Sequence, residues 1–151
     1  MAHSPLPTRV LANITVPDTP LITKSIALAR KYVDDQGYKH VMRSWLSGQA
    51  SINRLPSAER ALIDEEAFSI AAILHDLGWS TSPDMTSQDK PFEVDGANAA
   101  REFLLREGKP EEWDKHRVQL VWDSIAFHTC PISKCRFFLP NVGTVTDELR
   151  R

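Results

Sequence analysis

A histidine and an aspartate stand side by side, as His75 and Asp76, near the end of an apolar run that covers residues 67–79. The five residues before them, 70–74, are Ile, Ala, Ala, Ile and Leu, which predicts dry surroundings. An unpaired polar group in such a place costs roughly 2–7 kcal/mol. Imidazole nitrogen and carboxylate oxygen are ligands that suit zinc, iron or manganese. The pair therefore favours a divalent metal site, with hydrogen-bonded core residues as the alternative.

Two further histidines lie at helix positions from which they can face the same centre. His40 is near the start of a predicted second helix, and His128 ends an apolar stripe that begins at Val118 with spacing i, i+3, i+7, i+10. A single histidine on an apolar helix face is more often a hydrogen-bonded core residue than a ligand, so the hypothesis rests on the set. His3 and His116 lie in polar segments and are expected to be exposed.

The composition indicates one globular domain of ordinary type, with 151 residues, 42% hydrophobic and 25% charged. A net charge of −2 without a basic stripe argues against nucleic acid as the partner. No apolar run approaches the ~20 residues that span a bilayer, and no secretory signal is evident at the N-terminus. Two cysteines, Cys130 and Cys135, are expected to be free thiols rather than a disulfide or zinc clamp. We expect a cytoplasmic protein with a small-molecule substrate.

Apolar spacing predicts an all-α domain of about five to six helices, and no segment reads as a convincing strand. An irregular N-terminal arm is expected over residues 1–19 and an irregular C-terminal tail over 130–151. Gly37 is expected to end the first helix, and Asp95 to cap the fourth. The predicted helices cover 20–36, 38–54, 57–77, 96–106 and 111–128.

Three short motifs occur in a suggestive order: HVMR at 40–43, LHDLG at 74–78 and IAFHT at 125–129. In order and helix placement they resemble the HD-domain metallohydrolase superfamily. The stretch PFEVDGANAAREFL at 91–104, together with VWDSIAFHT, looks like the cyanamide hydratase-like branch. The resemblance covers about 20–129, and it implies that this part of the chain is an all-helical HD domain.

The resemblance also implies one divalent metal ion bound by His40, His75 and Asp76. Zinc is the first expectation, with iron and manganese as alternatives. The family's remaining aspartate ligand comes from a later helix, and residues 129–151 do not read as that helix. Asp147, in GTVTDELRR, is the carboxylate in a helix-like context that could replace it. The alternative is a C-terminally shortened family member with an incomplete site.

The activity implied is metal-dependent hydration of a small nitrile-like substrate, of which cyanamide to urea is the type case. In this hypothesis Asp76 holds the metal and accepts a hydrogen bond from water. His128 orients water or substrate and protonates the developing nitrogen anion. Arg43, Glu93 and Asp95 are candidates for contacts with substrate or for the pocket wall.

Two other hypotheses remain open at this point. The first is hydrolysis of nucleotides or another phosphate ester, with Arg43 steadying a phosphate oxygen. It ranks second because an anionic phosphate needs basic groups around the site, and near the motifs the sequence offers little besides Arg43 and Lys39. The second is a truncated, catalytically impaired domain that binds metal weakly or serves in interactions. Such a domain would leave Trp122 and Phe127 uncovered, which favours a homo-oligomer.

Overall fold

A computed structural model describes residues 5–130 of the protein. The predicted all-α class is confirmed, since six α-helices and one short 3-10 helix follow a small hairpin in this part of the chain. Within it, no helix is both long and apolar enough to cross a bilayer. The elements are β1 Thr8–Leu11, β2 Ile14–Pro17, α1 Pro20–Tyr32, α2 Asp35–Ile52, α3 Ser57–Arg60, α4 Glu65–Leu74, the 3-10 helix Leu77–Trp79, α5 Phe92–Glu107 and α6 Lys115–Ala126.

The segment expected to be an irregular arm contains a β-hairpin. Strands β1 and β2 pair antiparallel, and the turn residues Ala12 and Asn13 have φ values of 48° and 63°. Positive φ at both positions is what a two-residue hairpin turn requires. Val16 of β2 is fully buried and attaches the hairpin to the core. The expectation of no strand was wrong here because this turn lacks the glycine that usually marks a hairpin.

Aspartate side chains fix the start of three helices, of which α2 and α6 come first here. Asp34 accepts a hydrogen bond from the Gly37 backbone N–H (2.7 Å), so α2 begins directly after it. Gly37, predicted to end the first helix, therefore lies in the first turn of the second. Asp114 accepts from the Arg117 backbone N–H (2.8 Å), so α6 begins after it rather than at residue 111. Aspartate is among the strongest N-cap residues, which explains both boundaries.

The long helix predicted over 57–77 is divided into three elements. Its first part is the short α3, and Asp64 then caps α4 by accepting from the Ala67 backbone N–H (3.0 Å). Helix α4 ends at Leu74, and the 3-10 helix starts at Leu77. His75 and Asp76 therefore occupy the junction between two helical elements.

Asp95 is not the cap of α5, which corrects the expectation from the sequence. The helix starts earlier, at Phe92 after Pro91, and Asp95 lies in its first turn. The buried Asp95 carboxylate accepts hydrogen bonds from Ser87, at 2.6 Å from the backbone N–H and 2.9 Å from the hydroxyl. Asp95 thus ties the segment between the 3-10 helix and α5 to the helical bundle.

Helix α4 lies at the centre of the bundle, in contact with α1, α2, α5 and α6. Its residues Ile70, Ile73 and Leu74 are fully buried, in one core with Trp45 of α2 and Ile125 of α6. Because α4 ends inside this core, the residues that follow it are positioned by several helices at once. The junction at its end is therefore a rigid place for a site.

Candidate metal centre

The three predicted metal ligands come together at the end of α4. His40 lies in the second turn of α2, His75 directly follows α4, and Asp76 is the next residue. Their ligand atoms all lie within 4.8 Å of one another. The His75 side chain is 13% exposed and that of His40 is 52% exposed. The cluster is thus anchored in the core on one side and reached by solvent on the other.

Both carboxylate oxygens of Asp76 face imidazole nitrogens. Oδ2 lies 3.3 Å from Nε2 of His75 and 3.6 Å from Nε2 of His40. Oδ1 lies 3.5 Å from Nε2 of His128, which follows the end of α6. The Nε2 atoms of His75 and His40 are themselves 3.2 Å apart. His128 is therefore part of the same group of side chains, on the opposite side of the carboxylate.

Hydrogen bonds to the backbone determine which ring nitrogens carry protons. Nδ1 of His75 is 2.8 Å from the Ala72 carbonyl oxygen, and Nδ1 of His128 is 2.6 Å from that of Ile125. A carbonyl oxygen can only accept, so Nδ1 is the donor in both rings. In the neutral ring, Nε2 then keeps its lone pair. Metal-binding histidines are typically oriented by such a bond from the other nitrogen.

These residues fit a divalent cation. With Nδ1 of His75 bonded to the Ala72 carbonyl oxygen, its Nε2 faces the Asp76 carboxylate, and this contact is favourable when a proton or a metal ion lies between the two atoms. Ligands at about 2.1 Å from one ion stand about 3.0 Å apart at octahedral angles and about 3.4 Å apart at tetrahedral angles. The observed separations of 3.2, 3.3 and 3.6 Å are close to this range. Both the donor set and its spacing therefore suit a metal ion.

Contacts within the site shift the pKa values of Asp76 and His128. Burial by itself would raise the pKa of Asp76, but the imidazoles of His128 and His75 outweigh it and hold that pKa far below its usual value. The contact with Asp76 raises the pKa of His128, against the opposing effect of burial. The Ile125 carbonyl and the negative charge of Glu93 act in the same direction. Asp76 is therefore a carboxylate at neutral pH, as metal binding requires.

Two glycines allow α5 to approach the site closely. A Cβ atom at Gly78 would lie 1.7 Å from the Phe92 carbonyl oxygen, and one at Gly96 would lie 3.0 Å from the Gly78 nitrogen. The first turn of α5 is thus seated directly on the 3-10 helix. The Phe92 ring lies 5.8 Å from the His128 ring and 4.8 Å from the ring of Trp79, measured between centroids. An aromatic pair therefore borders the site next to His128.

The three candidates for substrate contact, Arg43, Glu93 and Asp95, lie in different surroundings. Arg43 is exposed and, within residues 5–130, its side chain makes no hydrogen bond or ion pair. Glu93 is engaged close to His128, where its carboxylate accepts a hydrogen bond from the Thr129 hydroxyl (2.5 Å). Asp95 is bound to Ser87 and faces a separate cavity of about 180 Å³. Asp95 therefore supports the fold beside the site rather than lining the metal cluster.

Two residues near the site were not anticipated from the sequence, namely Phe92 and Thr129. Each is next to a predicted site residue, since Thr129 directly follows His128 and Phe92 directly precedes Glu93. This adjacency is the signal from which the sequence could have indicated them. Asp147, the expected substitute for the fourth ligand, lies outside the described residues.

Comparison with known proteins gives one family. The model of the HD domain family matches residues 37–146, more than half of the chain. The matched span contains His40, His75, Asp76 and His128. No curated protein and no solved structure gives a significant match.

Proposed function

The chain belongs to the HD domain family of metal-dependent hydrolases, and from this we propose that it is a metal-dependent enzyme that adds water to a small, uncharged, nitrile-like substrate. Hydration of cyanamide to urea is the type reaction. The observation that carries the proposal is the convergence of His40, His75 and Asp76, with ligand atoms within 4.8 Å of one another. The Nδ1 bond of His75 supports it, because it leaves Nε2 of that ring facing Asp76 and His40.

The proposed hydration needs a bound metal ion and a residue that transfers one proton. His40, His75 and Asp76 would hold a divalent ion, which when bound would lower the pKa of water towards about 7 and polarise the substrate. The oxygen of water bonds to the nitrile carbon while one π pair of the C≡N bond moves to nitrogen. His128, held at Nδ1 by the Ile125 carbonyl, takes the proton of the water at Nε2 and returns a proton to nitrogen. Tautomerisation then gives the amide, which is urea when the substrate is cyanamide.

The charges around His128 favour an uncharged substrate. Glu93 is close enough to raise the pKa of His128, so a negative charge already stands beside the proton-transfer group. An anionic substrate close to Glu93 would be repelled by that charge. On the same side, Phe92 and Trp79 present an apolar wall. These features support a small neutral molecule as the reactant.

Hydrolysis of a nucleotide or another phosphate ester is the second candidate, and Arg43 is the observation in its favour. Arg43 lies one turn after His40 on α2 and has no hydrogen bond or ion pair within the described part of the chain. An exposed guanidinium without a partner is suited to a phosphate oxygen. In this case Arg43 would bind the substrate and the same metal cluster would supply the water.

Both candidates are tested with one panel of substrates. The chain is stripped with a chelator, reloaded with zinc, iron or manganese, and assayed with cyanamide, simple nitriles and nucleoside monophosphates. We expect turnover of cyanamide that disappears on chelation and in His75→Ala, while His116→Ala, an exposed histidine of α6, retains it. Turnover of phosphate esters that requires Arg43 would favour the second candidate. Activity that survives chelation, or full metal loading without any turnover, would contradict the proposal.

A further inference from the structure

A hydrogen bond between two side chains joins the ends of α5 and α6 beside the site. The Thr129 hydroxyl donates to Oε1 of Glu93 at 2.5 Å. Thr129 follows His128 directly, and Glu93 lies in the first turn of α5. An O–H···O⁻ bond of this length is charge-assisted, and such bonds are among the stronger ones in proteins. The contact thus links the segment that carries His128 to a helix that packs directly on the 3-10 helix after Asp76.

His128 needs such support because it lies past the end of its helix. Helix α6 ends at Ala126, and residues beyond a helix end are held by fewer backbone hydrogen bonds. The bond from Nδ1 to Ile125 fixes the ring relative to α6 but not relative to Asp76. From α5, the Phe92 ring contacts the His128 ring and Glu93 holds the next residue. The imidazole is thus held from the site by Asp76 and by the His75 ring, whose centroid is 4.9 Å away, and from the opposite direction along the chain by α5.

We propose that the Thr129–Glu93 hydrogen bond positions His128 for proton transfer, by fixing the chain on the far side of its imidazole. The inference rests on the proposed function, in which His128 Nε2 moves the proton. Glu93 and Thr129 are positioning residues, since neither belongs to the cluster of ligand atoms. Their effect reaches the reaction through the geometry of His128.

The same contact contributes little to the stability of the fold. Thr129 is exposed and Glu93 is half-buried, and interactions between solvent-accessible side chains are weak because water competes for both partners. A displacement of about 1 Å at a reacting group, by contrast, can cost about 100-fold in rate. Loss of the bond should therefore change turnover much more than folding.

Matched variants separate the hydrogen bond from shape and charge. Thr129→Val keeps the shape and removes the hydroxyl, whereas Thr129→Ser keeps the hydroxyl. Glu93→Leu removes the acceptor, whereas Glu93→Gln keeps an accepting oxygen without the charge. We expect kcat for cyanamide to fall roughly tenfold in Thr129→Val and Glu93→Leu with little change in KM. Thr129→Ser should stay within about twofold of the wild type, Glu93→Gln should fall between the wild type and Glu93→Leu because a neutral amide accepts a weaker bond, and the Glu93→Leu/Thr129→Val double variant should be no worse than either single variant.

A readout independent of turnover keeps this inference separate from the proposed substrate. Two-bond ¹⁵N–¹H NMR spectra of the imidazole rings, recorded on the zinc-loaded full chain, report the protonation and environment of each ring nitrogen. We expect a single His128 pattern with the proton on Nδ1 in the wild type and Thr129→Ser, and an altered or broadened pattern in Thr129→Val and Glu93→Leu. The melting temperature should change by no more than about 4 °C in all four single variants. If the His128 signals of Thr129→Val match those of the wild type, the inference is overturned even if cyanamide is a substrate.

Discussion

The two ends of helix α4 both gather acidic side chains, and they differ in the groups that face them. At its start, Asp64 and Glu66 face the guanidinium of Arg117; we call this the arginine end. At its other end, Asp76 faces the Nε2 atoms of histidines; we call His40, His75, Asp76 and His128 the imidazole end. The same helix thus carries a cluster of ion pairs at its start and a cluster of electron-pair donors at its other end.

Contacts at the arginine end hold Arg117 on every side. Its guanidinium is 2.5 Å from Asp64 and 2.9 Å from Glu66, and it donates to the Glu112 carbonyl oxygen at 3.0 Å. It also lies 3.9 Å from the centroid of the Trp113 ring. Burial alone would lower the pKa of Arg117, but its ion pairs with Asp64 and Glu66 raise it. Arg117 is therefore held in its charged form by groups of the chain itself.

The difference between the two ends shows how a structural cluster is told apart from a binding site. Arginine carries a permanent positive charge and has no lone pair to offer, so it completes an ion pair. A neutral histidine offers a lone pair and leaves the carboxylate charge unmatched. The arginine end should therefore contribute to the stability of the chain by itself, whereas the imidazole end should do so when a metal binds.

The largest expected effect is the loss of metal binding at the imidazole end. His75→Ala should lower zinc affinity by at least about 100-fold, because even loss of a group that merely orients a ligand costs 10- to 100-fold. Isothermal titration of the metal-free variant measures this. His116→Ala, which changes an exposed histidine of α6, is the matched control and should bind zinc like the wild type. Equal affinities for wild type and His75→Ala would remove the distinction between the two ends.

At the arginine end, the expected effect is on folding. Arg117→Met should lower the free energy of unfolding by about 2–3 kcal/mol, below the 3–5 kcal/mol typical of a fully buried pair, because the Asp64 side chain is 36% exposed. Urea denaturation checks this value. Arg54→Met, at an exposed arginine without an ion pair among the described residues, should stay within about 0.5 kcal/mol. A loss of zinc affinity in Arg117→Met would show that the two ends are not independent.

The smallest expected effect is the response to acid of a second ion pair, Arg60–Glu65, which lies next to the arginine end in the sequence. Arg60 holds the pKa of Glu65, next to Asp64, below its ordinary value of 4.5, with a further hydrogen bond from Gln49. A lowered carboxyl pKa gives stability that is complete above pH 4.5 and is lost as the pH falls through the folded-state pKa. Arg60→Met should remove about 0.5–1 kcal/mol at pH 7 and less at pH 3. Urea midpoints at the two pH values test this, and an equal loss at both would contradict the account.

The local part of the imidazole end could be predicted from the sequence. His75 and Asp76 are adjacent and follow an apolar helix, so their position at a buried helix end needs no knowledge of distant contacts. That His40 joins them was suggested by a family resemblance, and its position reflects the packing of α2 on α4. Residues that are adjacent in the sequence, at the end of a helix with a clear apolar pattern, can thus be placed most reliably from the sequence alone.

The features that the sequence did not predict depend on residues far apart in the chain. Asp95 has the type and place of a helix cap, but its carboxylate binds Ser87, across a turn that leaves no periodic pattern. Thr129 and Glu93 are 36 positions apart, and their bond exists because Gly78 lets α5 approach the site. Such contacts are set by how helices pack, which residue types alone do not encode.

The central claim is that the imidazole end of α4 is a site for one divalent metal ion. Its most direct test is a titration of zinc into the metal-free wild-type chain at neutral pH, with both the binding and the unfolding of the chain measured by calorimetry. The account predicts saturable binding of one zinc ion per chain, with a rise of about 2.7 kcal/mol in the free energy of unfolding when free zinc is 100 times its Kd. Absence of saturable binding, or binding that leaves the free energy of unfolding unchanged, would contradict it.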